Sequence, residues 1–248
     1  MRRPAALAVA VALLAGGCAT ESGGGHRVTV FAAASLADVL ETVEPGARFN
    51  FAGSDELATQ LREGARADVY AAADAGLALA LHREGLLERP RRLCSNRVVV
   101  VVPRGNPARV RALADLARPG VKIVIGDRGV PAGDYARAAL ARAPGGDAVL
   151  ANVVSEEQDV KGVVGKVALG EADAGFAYRT DVGAAGSAVA EAAGVGVLAR
   201  AEYAIAVVRD GERARASAFL RRVFAPHGRR AFRRAGFVTS PGDGRPLS

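Results

Sequence analysis

Strand-like and helix-like segments alternate along this chain from Val28 to Ala235, and that alternation restricts the fold more than any other feature. Val28, Val30 and Phe31 favour a strand, and Leu36, Val39, Leu40 and Val43 then recur at helical spacing. The same order returns with a strand at 48–51 and a helix at 54–63, and again at 68–71 and 75–84, where Gly85 ends the helix. Further on, 122–125 precedes a helix from Pro131 to about Arg142, and 152–154 precedes one at 160–169. Residues 174–178, 195–198 and 202–208 read as strands, 113–117 as a short helix, and 212–224 and 229–235 as closing helices. Residues 97–102, R-V-V-V-V-V, suit a strand buried on both faces of a parallel sheet. The pattern predicts α/β lobes with mostly parallel sheets and a frayed tail from Pro241.

The first residues have a separate character. Arg2 and Arg3, an apolar run from Ala5 to Leu14 and the small residues Ala15-Gly16-Gly17 before Cys18 read as an export signal over 1–18. The run is too short for the roughly 20 residues of a membrane span. Small residues before a cysteine resemble a bacterial lipoprotein processing site, with Cys18 carrying the lipid; an ordinary cleaved signal is the alternative. Residues 19–26 then form a flexible tether. With Cys18 lipidated, Cys94 has no partner for a disulfide. The net charge of +7 comes from 33 cationic against 26 acidic residues, with arginines scattered along helices (Arg62, Arg66, Arg137, Arg142) and few aromatics, which argues against nucleic-acid binding.

Four helix starts share one design. Ser35 follows a strand and sits where an N-cap would sit, beside backbone N–H groups that the helix leaves unpaired. Ser54 repeats this in F-A-G-S-D-E-L, where Gly53 allows a close backbone approach. In V-P-A-G, Pro131 lacks an N–H, so Ala132 and Gly133 supply the donors; Gln158-Asp159-Val160 opens the fourth helix. Four such starts aimed at one point would cage an oxyanion with neutral dipoles. Asp68 and Asp159 read as caps or turn formers, because carboxylates would repel a dianion.

The blocks V-T-V-F-A-A-A-S-L-A-D-V-L, F-A-G-S-D-E-L-A-T-Q-L, A-D-V-Y-A-A-A-D, N-R-V-V-V-V-V-P-R-G-N-P, G-D-R-G-V-P-A-G-D-Y-A, E-E-Q-D-V-K-G-V-V and G-E-A-D-A-G-F-A-Y-R-T-D-V occur in an order that resembles the molybdate-binding proteins of bacterial ABC importers. The resemblance covers nearly all of the chain after the leader. It implies a two-lobed fold of the type II periplasmic-binding-protein kind, α/β throughout, with the ligand cleft between the lobes. The N-terminal lobe would comprise 27–102 and 206–248, and the second lobe 103–205. Contacts to molybdate or tungstate would come from the hydroxyls of Ser35, Ser54 and Tyr178 and the backbone amides of Ala132 and Val160. The resemblance also implies an extracytoplasmic monomer that serves a permease and its ATPase, with no cofactor and no direct protein–metal bond. One departure is visible: only 19 positions separate Ser35 from Ser54, so the first helix must end by about Val43, before Glu44-Pro45-Gly46.

Two other functions remain open on the residues. The same fold would suit sulfate or another small oxyanion, with selectivity set by cavity size. A serine hydrolase using Ser35 would need a histidine base. The chain offers only His26, His82 and His227, none in a recognisable motif, and no G-x-S-x-G elbow. Three scattered histidines and two cysteines suggest no metal site.

Overall fold

The computed structural model describes residues 27–247; the leader, the tether and Cys18 lie outside them. Nine strands form one curled, mixed sheet: β1 (Thr29–Ala33), β2 (Arg48–Ala52), β3 (Val69–Ala72), β4 (Arg91–Pro103), β5 (Ile123–Gly126), β6 (Val153–Glu157), β7 (Ala174–Tyr178), β8 (Val189–Glu191) and β9 (Ala199–Val207). Their order is β2-β1-β3-β9-β4-β7-β5-β6, with β8 pairing β4 off this path. The outer groups run parallel, β1 beside β2 and β3, and β5 beside β6 and β7. The long strands β4 and β9 are antiparallel and join the two halves. β4 faces β9 from Arg91 to Val98 and β7 from Val98 onward.

This corrects one expectation. The valine run in β4 is fully buried, yet β7, β8 and β9 all run antiparallel to it. Burial on both faces is what selects an apolar run, and helices cover both faces here whatever the strand direction.

Helices α1 (Ala37–Val43), α2 (Ser54–Arg62), α3 (Ala75–Arg83), α4 (Pro131–Leu140), α5 (Gly146–Leu150), α6 (Val160–Ala168), α7 (Arg179–Ala184), α8 (Arg213–Phe224) and α9 (Pro226–Arg234) flank the sheet. A single 3-10 turn, Ala34–Leu36, precedes α1. One apolar cluster packs Leu57, Leu61, Ala78 and Leu81 of α2 and α3 on Tyr70 in one half. Another packs Ile123, Ile125, Leu140 and Phe176 in the other. The third is shared: Leu40, Phe219 and Phe232 join Val124, Val163 and Val167 through Tyr178 and Tyr203. Such burial stabilises each half by about 25 cal/mol per Å² of apolar surface removed from water.

Several boundaries moved. Residues 195–198 are not a strand, because Gly196 takes a left-handed φ of 76° there. α9 begins at Pro226 rather than 229, since proline suits the first helical position. The five-residue α5, the six-residue α7 and the three-residue β8 are too short to show a period. The tail from Pro241 does not fray: Gly244 N–H donates to Arg92 O, Leu247 N–H donates to Pro90 O, and Asp243 is buried.

Candidate functional site

Six chain segments that leave the sheet toward helices meet at one small cleft, whose free volume is about 10 Å³. Ser35, Ser54, Ala132, Val160 and Tyr178 all line it, and each is buried. Ala33, Ala34, Gly53 and Ala73 fill the gaps with small residues, which lets the backbone come close.

The two serines are held differently from the expected caps. The N-cap before the 3-10 turn is Ala33, and no side chain caps it; Ser35 lies inside the turn. Its Oγ pairs instead with Tyr203 Oη at 2.9 Å. Ser54 is the first residue of α2, with Gly53 at the cap position. Ser54 Oγ accepts from Ala73 N–H at 3.0 Å, and Tyr70 Oη donates to Ser54 O at 2.7 Å. With one lone pair taken by that amide, the Ser54 proton is free to point into the cleft.

The amide donors come from α4 and α6. The first backbone bond of α4 runs from Asp134 N–H to Val130 O, and Pro131 has no N–H, so Ala132 N–H has no partner within the helix. In α6, Asp159 caps by accepting from Gly162 N–H at 2.9 Å, and Val163 N–H donates to Asp159 O. Val160 N–H is left without an intrahelical partner. Asp159 thus behaves as the cap expected of it. Asp68 likewise serves structure, accepting from Thr29 N–H at 2.8 Å and Glu212 N–H at 2.7 Å, with Arg215 beside it.

Tyr178 ends β7. Its side chain is 2% exposed and its Oη is buried with no hydrogen-bond partner. Leaving a buried hydroxyl unpaired costs about 1–3 kcal/mol, so this atom calls for an acceptor that the protein does not supply. Burial pushes its pKa well up, which keeps it a neutral donor. No arginine, lysine or histidine lines the cleft among the described residues, and Asp159 is its one ionisable carboxylate. The arrangement can therefore hold an anion by neutral dipoles from three hydroxyls and two helix starts. No histidine lines the cleft among the described residues to serve as base for a serine nucleophile.

One contributor was not apparent from spacing. Tyr203 lies 168 residues from Ser35 in sequence, and only the register of β9 beside β4 brings the two together. Gly53 does permit a close approach, but to protein: a Cβ there would lie 2.5 Å from Gln158 O, in the other half of the molecule. Asp55 Oδ1 is buried without a partner in the same seam, and burial raises its pKa.

The chain matches the family described as bacterial extracellular solute-binding protein over residues 28–238. It is 39% identical over 231 residues to the molybdate-binding protein ModA of Mycobacterium tuberculosis (strain H37Rv), across 87% of this chain and 85% of that one. Its fold is similar to the periplasmic molybdate-binding protein of Azotobacter vinelandii, with a TM-score of 0.70 at 19% identity over 86% of this chain and 100% of that one. It is also similar to the sulfate-binding protein SubI of M. tuberculosis H37Rv, with a TM-score of 0.72 at 19% identity over 87% and 88%.

Proposed function

The chain belongs to the bacterial extracellular solute-binding protein family, and on that premise we propose that it captures molybdate or tungstate outside the cytoplasm and delivers it to an ABC permease and its ATPase. It is a binding protein and not an enzyme, and it carries its ligand without a cofactor, as its relatives do. The observation that supports an oxyanion is the orphaned Tyr178 Oη, on a residue that lines the cleft together with Ser35, Ser54, Ala132 and Val160, and the molybdate-binding relatives support the choice among oxyanions. A tetrahedral dianion offers an acceptor to each of these donors and needs no counter-charge. Two lobes, 27–102 with 206–248 and 103–205, close on it, and β4 and β9 are shared between them. The protein acts as a monomer held at the membrane by lipid on Cys18.

Selectivity rests on size, because sulfate and molybdate have the same charge and shape. Titration of the mature chain with molybdate, tungstate, sulfate and phosphate tests the assignment. At a hundred times its dissociation constant a ligand adds about 2.7 kcal/mol, which raises the melting temperature of a chain this size by roughly 5–10 °C. Molybdate and tungstate are expected to give this shift and sulfate and phosphate to give little. A shift with sulfate alone would reassign the site to the smaller oxyanion.

A further inference from the structure

We propose that Tyr203 is a positioning residue that turns the Ser35 hydroxyl into a hydrogen-bond donor at the cleft. This rests on the oxyanion reading above and adds to it how the donor is oriented. The argument is one of hydrogen-bond polarity. Asn96 Oδ1 accepts from Arg97 N–H at 2.9 Å, which fixes the side-chain amide so that Nδ2 faces inward. Nδ2 lies 2.8 Å from Thr180 Oγ1 and 3.5 Å from Tyr203 Oη. An amide NH2 only donates, so Tyr203 Oη accepts from it. Of the two other hydroxyls beside Tyr203 Oη, Ser35 Oγ at 2.9 Å is within hydrogen-bond distance and Tyr178 Oη is not, so the Tyr203 proton is assigned to Ser35. Ser35 accepts that proton, and its own hydrogen is left to point into the cleft.

Every member is buried: Asn96 is 1% exposed, Tyr203 0% and Ser35 6%. Water therefore does not compete to reverse the direction. The relay also has a rigid base, because Asn96 lies on β4 and Tyr203 on β9, the two strands common to both halves. The Tyr203 ring is wedged between Tyr178 at 5.7 Å and Phe237 at 5.6 Å. Ser54 reaches the same polarity by a shorter route, since a backbone N–H can only donate to it. Both serines are thus set as donors, which suits a fully deprotonated oxyanion that offers acceptors alone.

The test is a double-mutant cycle read by molybdate titration. Tyr203→Phe removes the hydroxyl and keeps the packed ring. Its affinity for molybdate is expected to fall roughly three- to tenfold, the weight of one hydrogen bond. In a Ser35→Ala background the same change is expected to cost nothing more, because the relay no longer has an end. A Tyr203→Phe protein that binds like the wild type overturns the proposal. So does an equal loss in both backgrounds, which would mark a role in the fold only. If Tyr203→Phe does not fold, Asn96→Asp replaces the donor by an acceptor, draws the Tyr203 proton away from Ser35, and is expected to give the same pattern; wild-type affinity in that folded variant also overturns it. A wild-type chain that does not bind molybdate at all is a different result, and it removes the oxyanion reading itself.

Discussion

Each hydroxyl at the cleft is oriented by what it accepts or lacks. Ser54 accepts a backbone amide, Ser35 pairs with Tyr203, and Tyr178 has no partner in the protein. One further residue behind the cleft is unusual. Asp181 is 3% exposed, accepts from Tyr178 N–H at 3.3 Å, and is raised by burial from 3.8 to about 7. Lys161 on α6 opposes that rise, while Asp38 and Asp159 add to it. Between 3.8 and about 7 the folded protein holds a proton that the unfolded chain releases. Stability is then greatest at the acid end and falls as pH rises through that window, by on the order of a few kcal/mol. Asp181→Asn keeps the acceptor for Tyr178 N–H and never ionises. Urea unfolding from pH 5 to 8 is expected to show it gaining on the wild type as pH rises; parallel curves would refute this. The motifs singled out five residues that the fold brings to one cleft. Their hydrogen-bond partners were not legible, because Tyr203 and Ser35 are 168 residues apart and no local period links them.

The elements owe their precision to a few close approaches. α1 is only seven residues long, as the early Glu44-Pro45-Gly46 stop requires, and a helix so short is marginal alone. Val39, Leu40 and Val43 bury it in the shared apolar cluster, alongside the α8 and α9 side chains Phe219 and Phe232. Across the cleft, Gly53 meets Gln158 O and Gly129 meets Asp55, while Lys161 reaches Asp38 at 3.1 Å. That ion pair is largely exposed and adds little. The glycine contact matters more, since a methyl group would lie 2.5 Å from a carbonyl oxygen on the opposite half. Gly53→Ala is therefore expected to hold the halves apart and weaken molybdate binding about tenfold or more. The collision is already present where the halves meet in this structure, and Asp55 Oδ1 lies 2.8 Å from the same position, so the variant is also expected to melt below the wild type. Calorimetric titration beside a melting curve checks both, and unchanged affinity would contradict the seam. Strand and helix order was readable here because apolar period and glycine stops are local signals. The direction of β4 was not, since a run buried on both faces looks alike in parallel and antiparallel surroundings.

At the scale of the molecule, β4 and β9 make one sheet of two α/β halves and place four helix starts at a common point. The charge is also less even than it first reads. From Arg209 to the end, ten arginines stand against three acids, a surplus equal to the +7 of the whole chain. Part of it is tied down, by Asp68 on Arg215, Glu88 on Arg213 and Glu44 on Arg222. None of these arginines lines the cleft. The central claim is that a dianion is held by neutral donors at that cleft and not by these arginines. Anomalous diffraction at the molybdenum edge, from crystals grown with molybdate, tests it most directly. The account predicts one strong peak within hydrogen-bond distance of Ser35 Oγ, Ser54 Oγ, Tyr178 Oη and the amides of Ala132 and Val160. A peak among the arginines of α8 and α9, with the cleft empty, would contradict it.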